Sequence, residues 1–286
     1  MGTNGVKVVR AASSGACFGV QRALDMTLEA SESGKDVCTL GPLIHNPKVV
    51  EELKARGIRA AASVSDVDTG AVVIRSHGVV PEVIDELELK KKTIIDATCP
   101  HVMRAQKAAA RLAKAGYVVV VVGEAGHPEV EGISAHARAA GGECFVAETP
   151  EELPESLEGP VGIVVQTTQP RAKLERIVGS LESRGFEPKV CDTICSATVH
   201  RQEAASTLAS EVDAMVVIGG RNSSNTTRLY EICREACPHA YHVEGSDEID
   251  PSWFEPGFVV GVSAGASTPE SQIEEVVARL ESLQFD

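Results

Sequence analysis

The sequence predicts an α/β protein of three tandem domains related by a pseudo-threefold axis, each a small, mostly parallel sheet flanked by helices around one central cavity. The first observation behind this is a spacing. Cys17, Cys99 and Cys195 each sit in a Gly/Ser/Thr/Asp-rich turn that opens a helical pattern, and a glycine follows each of them 24 residues later, at Gly41, Gly123 and Gly219. The second is a further set of matched landmarks, in which three apolar strands end in small polar residues around His77, Thr167 and Ser267, followed by Pro81, Pro170 and Pro269. Self-similarity of this kind reveals chain organisation where local propensity does not. The third is composition: aromatics make up only 3% of the 286 residues, so the cores must be built from Val, Ile, Leu and Ala.

The elements follow in order. After each cysteine comes a helix, most clearly the second, where Val102, Ala105, Ala109 and Leu112 share one face and Gly116 ends it. Each landmark glycine closes an apolar strand: Val-Cys-Thr-Leu before Gly41, Val118–Val122 before Gly123 and Met-Val-Val-Ile before Gly219. Four residues beyond each glycine lies a polar side chain with useful neighbours: His45 with Asn46, His127 with Glu129, and Ser223 with Ser224 and Asn225. Another helix begins there. The prolines after the third landmark suit the first turn of a further helix. Strands at Thr93–Ile95 and Lys189–Val190 complete the first two repeats, and Val6–Val9 is expected to complete the third from the other end of the chain. The repeats therefore span 14–99, 100–191, and 192–286 plus 1–13.

Ligands of open parallel sheets bind beyond the carboxyl ends of the strands, where all these loops lie. With 41 acidic against 27 basic residues and a formal charge of −14, the chain is a poor general binder of nucleic acid or anionic membrane. Its longest apolar runs are too short to span a bilayer, and the start lacks a signal or transit pattern, so a cytoplasmic protein is expected. In that reducing compartment the eight cysteines read as thiols or metal ligands. Three repeat-equivalent cysteines, 17, 99 and 195, suit Zn²⁺ or three corners of an iron–sulfur cube with one corner open. Cys38, Cys144 and Cys191 read as packing residues, and Cys233 and Cys237 carry no assigned role. His45, His77, His127, Ser223, Ser224, Asn225, Thr168 and Ser267 form a donor-rich lining at helix starts, suited to a phosphate or diphosphate. Glu129 is the carboxylate inside a landmark loop and the candidate proton carrier, with Glu131 the weaker choice. His101, His136, His200, His239 and His242 read as ordinary surface or core residues.

Together, Gly-Ala-Cys17-Phe-Gly-Val, Leu-Ile-His45-Asn-Pro, Arg-Ser-His77-Gly-Val, Asp-Ala-Thr-Cys99-Pro, Gly-His127-Pro-Glu129-Val-Glu-Gly, Gln166-Thr167-Thr168, Ile-Cys195-Ser-Ala-Thr-Val-His-Arg-Gln, Asn-Ser223-Ser224-Asn225 and Ser-Ala-Gly-Ala-Ser267 resemble the 4-hydroxy-3-methylbut-2-enyl diphosphate reductase family. The resemblance covers nearly the whole chain. Ala16 stands where the family usually has Phe, which removes no ligand, and the C-terminal RNA-binding extension of some relatives has no counterpart here. The resemblance implies reductive dehydroxylation of an allylic alcohol diphosphate to isopentenyl and dimethylallyl diphosphates, the last step of the methylerythritol phosphate route. It implies a [4Fe–4S] cluster held by Cys17, Cys99 and Cys195 with one open iron. Glu129 would relay protons, Thr167 would lie beside the substrate alcohol, and His45, His77, His127, Ser223, Ser224, Asn225 and Ser267 would hold the diphosphate. A ferredoxin or flavodoxin type donor would supply electrons. Two other readings stay open: a quinolinate synthase-like three-cysteine dehydratase without net reduction, and a non-enzymatic redox sensor.

Overall fold

The structure, a computed structural model, describes residues 5–285, so positions 1–4 and 286 of the expected third repeat lie outside the described residues. In chain order, β1 (Lys7–Arg10) precedes α1 (Phe18–Glu32), β2 (Val37–Leu40), α2 (Pro47–Ala55), β3 (Ala60–Ala61), β4 (Ala71–Ile74), α3 (Pro81–Leu89) and β5 (Thr93–Asp96). Then come α4 (Pro100–Lys114), β6 (Val118–Val122), α5 (Pro128–Ala139), β7 (Cys144–Ala147), β8 (Val161–Val165), α6 (Arg171–Ser183) and β9 (Lys189–Cys191). The last part runs through α7 (Ser196–Ala209), β10 (Ala214–Ile218), α8 (Ser224–Ala236), β11 (Ala240–Val243), β12 (Val259–Ala264) and α9 (Glu270–Glu281).

The strands form three parallel four-stranded sheets of one topology, β3-β2-β4-β5, β7-β6-β8-β9 and β11-β10-β12-β1. The N-terminal strand does fill the fourth place of the third sheet. Its ladder runs Lys7↔Val259 to Arg10↔Val262, one residue beyond the expected Val6–Val9. Strands β4, β6, β8 and β10 are buried along their whole length, as the unbroken apolar runs require for parallel strands covered on both faces. Val102, Ala105, Ala109 and Leu112 form the buried stripe of α4, and Gly116 ends the helix at φ +81°. Pro81 is the first residue of α3, whereas Pro170 and Pro269 stand one place earlier, as caps of α6 and α9.

The landmark glycines serve close approach. A Cβ at Gly41 would meet Arg75 at 2.9 Å, one at Gly123 would meet Val130 at 2.7 Å, and one at Gly219 would meet Thr226 and Thr268 at 2.7 Å. The chain packs as two units: one holds the described chain up to Phe18, His45–Lys48 and everything from Ser196 on, and the other holds Gly19–Ile44 and Val49–Cys195. The first contains the sheet with β1, and the second the other two sheets. Among the described residues, no helix is long and apolar enough to cross a membrane.

Candidate active site

Each of the three cysteines stands one residue before its helix, α1, α4 or α7, and its amide is held in the same way. Cys17 N donates to Ala266 O at 3.0 Å, Cys99 N to Ser76 O at 2.9 Å and Cys195 N to Thr167 O at 3.0 Å. Each acceptor lies two residues past the end of the equivalent strand, β12, β4 or β8. Repeated spacing in the sequence has become repeated hydrogen bonding. None of the three is in a disulfide, and all are partly exposed. The remaining cysteines differ: Cys38 is fully buried, and burial pushes the thiols of Cys144 and Cys237 up and that of Cys233 up to about 12. A thiol that resists deprotonation is a poor ligand; Cys191 is partly exposed but ends β9 instead of preceding a helix, so it is the matched turns that make Cys17, Cys99 and Cys195 a donor set suited to a thiolate-bound metal group.

In the larger unit, the second landmark loop meets the third. Glu129, 1% exposed in the first turn of α5, accepts from Thr167 N at 2.6 Å on one carboxylate oxygen and from Thr167 Oγ1 at 3.0 Å on the other. Burial raises its pKa from 4.5 to about 7, opposed by the two Thr167 bonds and helped by the charge of Glu124. Since Thr167 O receives the Cys195 amide, a single residue links the carboxyl to the Cys195 turn. His127 caps α5, its Nδ1 accepting from Glu129 N at 3.1 Å, which puts the proton of the neutral ring on Nε2. The His77 and His127 rings meet edge to face, 5.5 Å between centroids. Glu131 is exposed and outside this network.

In the other unit, Asn225 Oδ1 accepts from Ala266 N at 2.7 Å, and Ala266 O in turn receives Cys17 N. Ser267 Oγ donates to His45 O at 3.0 Å, and Asn46 Nδ2 donates to Ser267 O at 2.8 Å and to Gln272 Oε1 at 2.9 Å. His45 O would lie 2.8 Å from a Cβ at Gly220, so the segment rests against a bare backbone. Ser223 caps α8 by accepting from Thr226 N, and Ser224 is the first residue of that helix. Cys17, His45, Ser223, Ser224, Asn225 and Ser267 thus come together in one unit, and Cys99, Cys195, His77, His127, Glu129 and Thr167 lie in the other. Among the histidines read as ordinary, His136 and His242 bond to backbone carbonyls of Gly132 and Gly219.

Two side chains that shape these loops carry no role in the sequence reading. Gln166, fully buried, accepts at Oε1 from Glu124 N and Gln169 Nε2, both at 3.0 Å, and so ties the loop before Glu129 to the loop of Thr167. Its position beside Thr167 in a quoted motif is the available signal. Arg201, 4% exposed on α7, donates to Gly15 O at 2.8 Å.

Three parallel sheets of one topology, each with a cysteine amide held at a strand-end loop, define an α/β protein of repeated architecture. The family model described as "LytB protein" matches residues 8–281, and the chain belongs to that family. It is 45% identical over 284 residues to the 4-hydroxy-3-methylbut-2-enyl diphosphate reductase of Geotalea uraniireducens, with 98% of this chain and 99% of that one covered. To the reductase of the same name from Pelobacter propionicus it is 46% identical over 276 residues, covering 96% and 98%. A solved structure of (E)-4-hydroxy-3-methyl-but-2-enyl diphosphate reductase, described as the terminal enzyme of the non-mevalonate pathway, matches at a TM-score of 0.73 and 44% identity, covering 97% of this chain and all of that one. The Plasmodium falciparum E-1-hydroxy-2-methyl-but-2-enyl-4-diphosphate reductase shares the fold, at a TM-score of 0.88 and 24% identity over 96% of this chain and 87% of its own.

Proposed function

We infer that this chain is a 4-hydroxy-3-methylbut-2-enyl diphosphate reductase, an isoprenoid-pathway oxidoreductase that yields isopentenyl and dimethylallyl diphosphates. The observation that carries the reading is the Glu129–Thr167–Cys195 connection, which joins a proton-bearing carboxyl to a ligand turn through one residue. Cys17, Cys99 and Cys195 are assigned as ligands of a [4Fe–4S] cluster, on the strength of their matched turns and partial exposure. When bound, such a cluster supplies electrons and Lewis acidity at its open iron.

The reaction takes up two electrons and two protons: the carbon–oxygen bond breaks, the hydroxyl leaves as water with one proton, and the allylic skeleton receives the other. Glu129, titrating near 7, keeps its proton in about half of the molecules at neutral pH, where an ordinary carboxylate has lost it, and so can both give and regain one. Thr167 fixes that carboxyl through both backbone and hydroxyl and stands beside the substrate alcohol. His45, His77, His127, Ser223, Ser224, Asn225 and Ser267 hold the diphosphate, with the Nε2 proton of His127 and the first turns of α5 and α8 supplying donors. The three-repeat division at 14–99, 100–191 and 192–286 plus 1–13, a cytoplasmic location and a ferredoxin or flavodoxin type donor belong to the same reading. The test is anaerobic purification with iron and sulfide counts, followed by turnover of the allylic diphosphate with a reduced dye. Two electrons consumed per product are expected. Turnover without electron consumption supports the dehydratase reading, and a bound cluster without turnover supports the sensor.

A further inference from the structure

Arginine side chains reach two of the three ligand turns. Arg201, on the helix that follows Cys195, is 4% exposed and donates through Nη2 to Gly15 O at 2.8 Å and through Nη1 to Ala197 O at 3.0 Å. Gly15 stands two residues before Cys17 at φ +82°, where a Cβ would also meet Ile273 Cδ1 at 2.8 Å. Its amide donates to Ala264 O at 3.1 Å. The Cys17 turn is therefore held at Gly15 N, at Gly15 O by a buried cation, and at Cys17 N. Arg22, on the helix that follows Cys17, donates through Nη1 to Thr98 O at 3.2 Å, one residue before Cys99. There the turn is held at Thr98 N by Asp96 Oδ1 at 2.9 Å, at Thr98 O by the arginine, and at Cys99 N by Ser76 O. The third turn is held at Ile194 N by Asp192 Oδ1 at 3.1 Å and at Cys195 N by Thr167 O.

A cation buried as deeply as Arg201 is costly unless carbonyls and negative charge compensate it. Thiolate ligands bring negative charge to a site that, in the protein alone, has a cation at its edge. Groups that orient ligands and carry charge near a cluster set both how firmly it is held and its reduction potential. We propose that Arg201 and Arg22 are positioning residues of the cluster site, each fixing the turn before a cysteine ligand and placing permanent positive charge beside it. The helix after one cysteine braces the turn of another, so the ligand turns are coupled rather than independent. This rests on the assignment of Cys17 and Cys99 as cluster ligands.

The test compares anaerobically purified full-length wild type with Arg201→Met, Arg201→Lys and Arg22→Met. Iron and sulfide counts, the rate of iron loss to a chelator, and the midpoint potential from a spectroscopic redox titration are measured, with thermal unfolding of the cluster-free proteins alongside. Removing a positive charge disfavours the reduced state, so both methionine variants should titrate at more negative potential and lose iron several-fold faster, with Arg201→Lys nearer to wild type in potential. Should Arg201→Met fail to fold, Arg22→Met decides on its own, because its side chain is only partly buried. Methionine variants with wild-type potential and iron-loss rate overturn the proposal, as does an effect confined to unfolding of the cluster-free protein. A wild type that binds no iron overturns the functional reading itself before any variant is compared.

Discussion

Replacing Glu129 by Gln separates what burial does to this carboxyl from what the carboxyl does for the reaction. In the folded protein it titrates near 7, against 4.5 for the ordinary group, mainly because it is withdrawn from water. Folding therefore binds its proton more tightly than the unfolded chain does. The contribution to stability is complete below about pH 4.5, declines as pH rises through 7, and levels off above it, amounting to about 3 kcal/mol. Glutamine keeps the size, accepts from Thr167 N and can donate to a reoriented Thr167 hydroxyl, but it has no charge to bury. Denaturant unfolding of the cluster-free proteins between pH 4.5 and 8 should show the variant gaining on wild type by about 3 kcal/mol across that range. Subtracting the two curves cancels the groups that the two proteins share. The same variant, loaded and assayed anaerobically, should lose about 100-fold or more in kcat, the scale of general acid–base catalysis. A stability difference that is constant with pH refutes the buried, neutral carboxyl. Near-normal kcat refutes its proton-carrying role even if the stability curves behave as expected.

Cys17→Ser, Cys99→Ser and Cys195→Ser should each lose most bound iron while Cys38→Ser and Cys144→Ser retain it; full iron counts in any of the first three would remove that residue as a ligand. His45→Asn and Ser267→Ala should each raise KM by about 10-fold or more with a smaller change in kcat, from loss of a hydrogen bond to a charged group. Unaltered substrate affinity in both would dismiss the diphosphate pocket. Thr167→Val removes a hydroxyl that now holds the Glu129 pKa down, so the alkaline limb of the kcat/KM profile should move to higher pH. No movement, or movement downward, would mean that this hydroxyl does not tune the carboxyl.

The fold was legible because the repeat displays itself three times over. A glycine at a fixed distance from each cysteine marks the same backbone crowding, though the atoms crowded differ: Arg75 at Gly41, Gln166 at Gly123, Thr226 at Gly219. Residue type in the loops singled out Glu129 and the family resemblance singled out Thr167, yet only the structure shows that one touches the other. What escaped was the polar framework. The buried stripe of α7 runs through Thr198, Arg201, Ala205 and Leu208, so its inward face mixes polar and apolar residues and gives no clean periodicity. Gln166 was similarly obscure, because a carboxamide that binds a distant backbone looks, in sequence, like one that faces water. The two-residue β3, with no pattern to detect, illustrates the same limit in the backbone.

The parallel ladder between β1 and β12 joins one of the first strands to be synthesised with the last. On the ribosome the other two sheets can each be finished from contiguous chain, in the order of their emergence. The sheet that holds Cys17's anchor must wait: β1 stays unpaired until β12 has been made, and β12 presents an open edge until β1 docks. Closing so long a loop is the kind of step that slows folding. Since Cys17 follows β1 closely and its amide donates to Ala266 O in the loop after β12, its turn is completed by that docking. The first of the three cysteine turns in the sequence is thus the last to be completed.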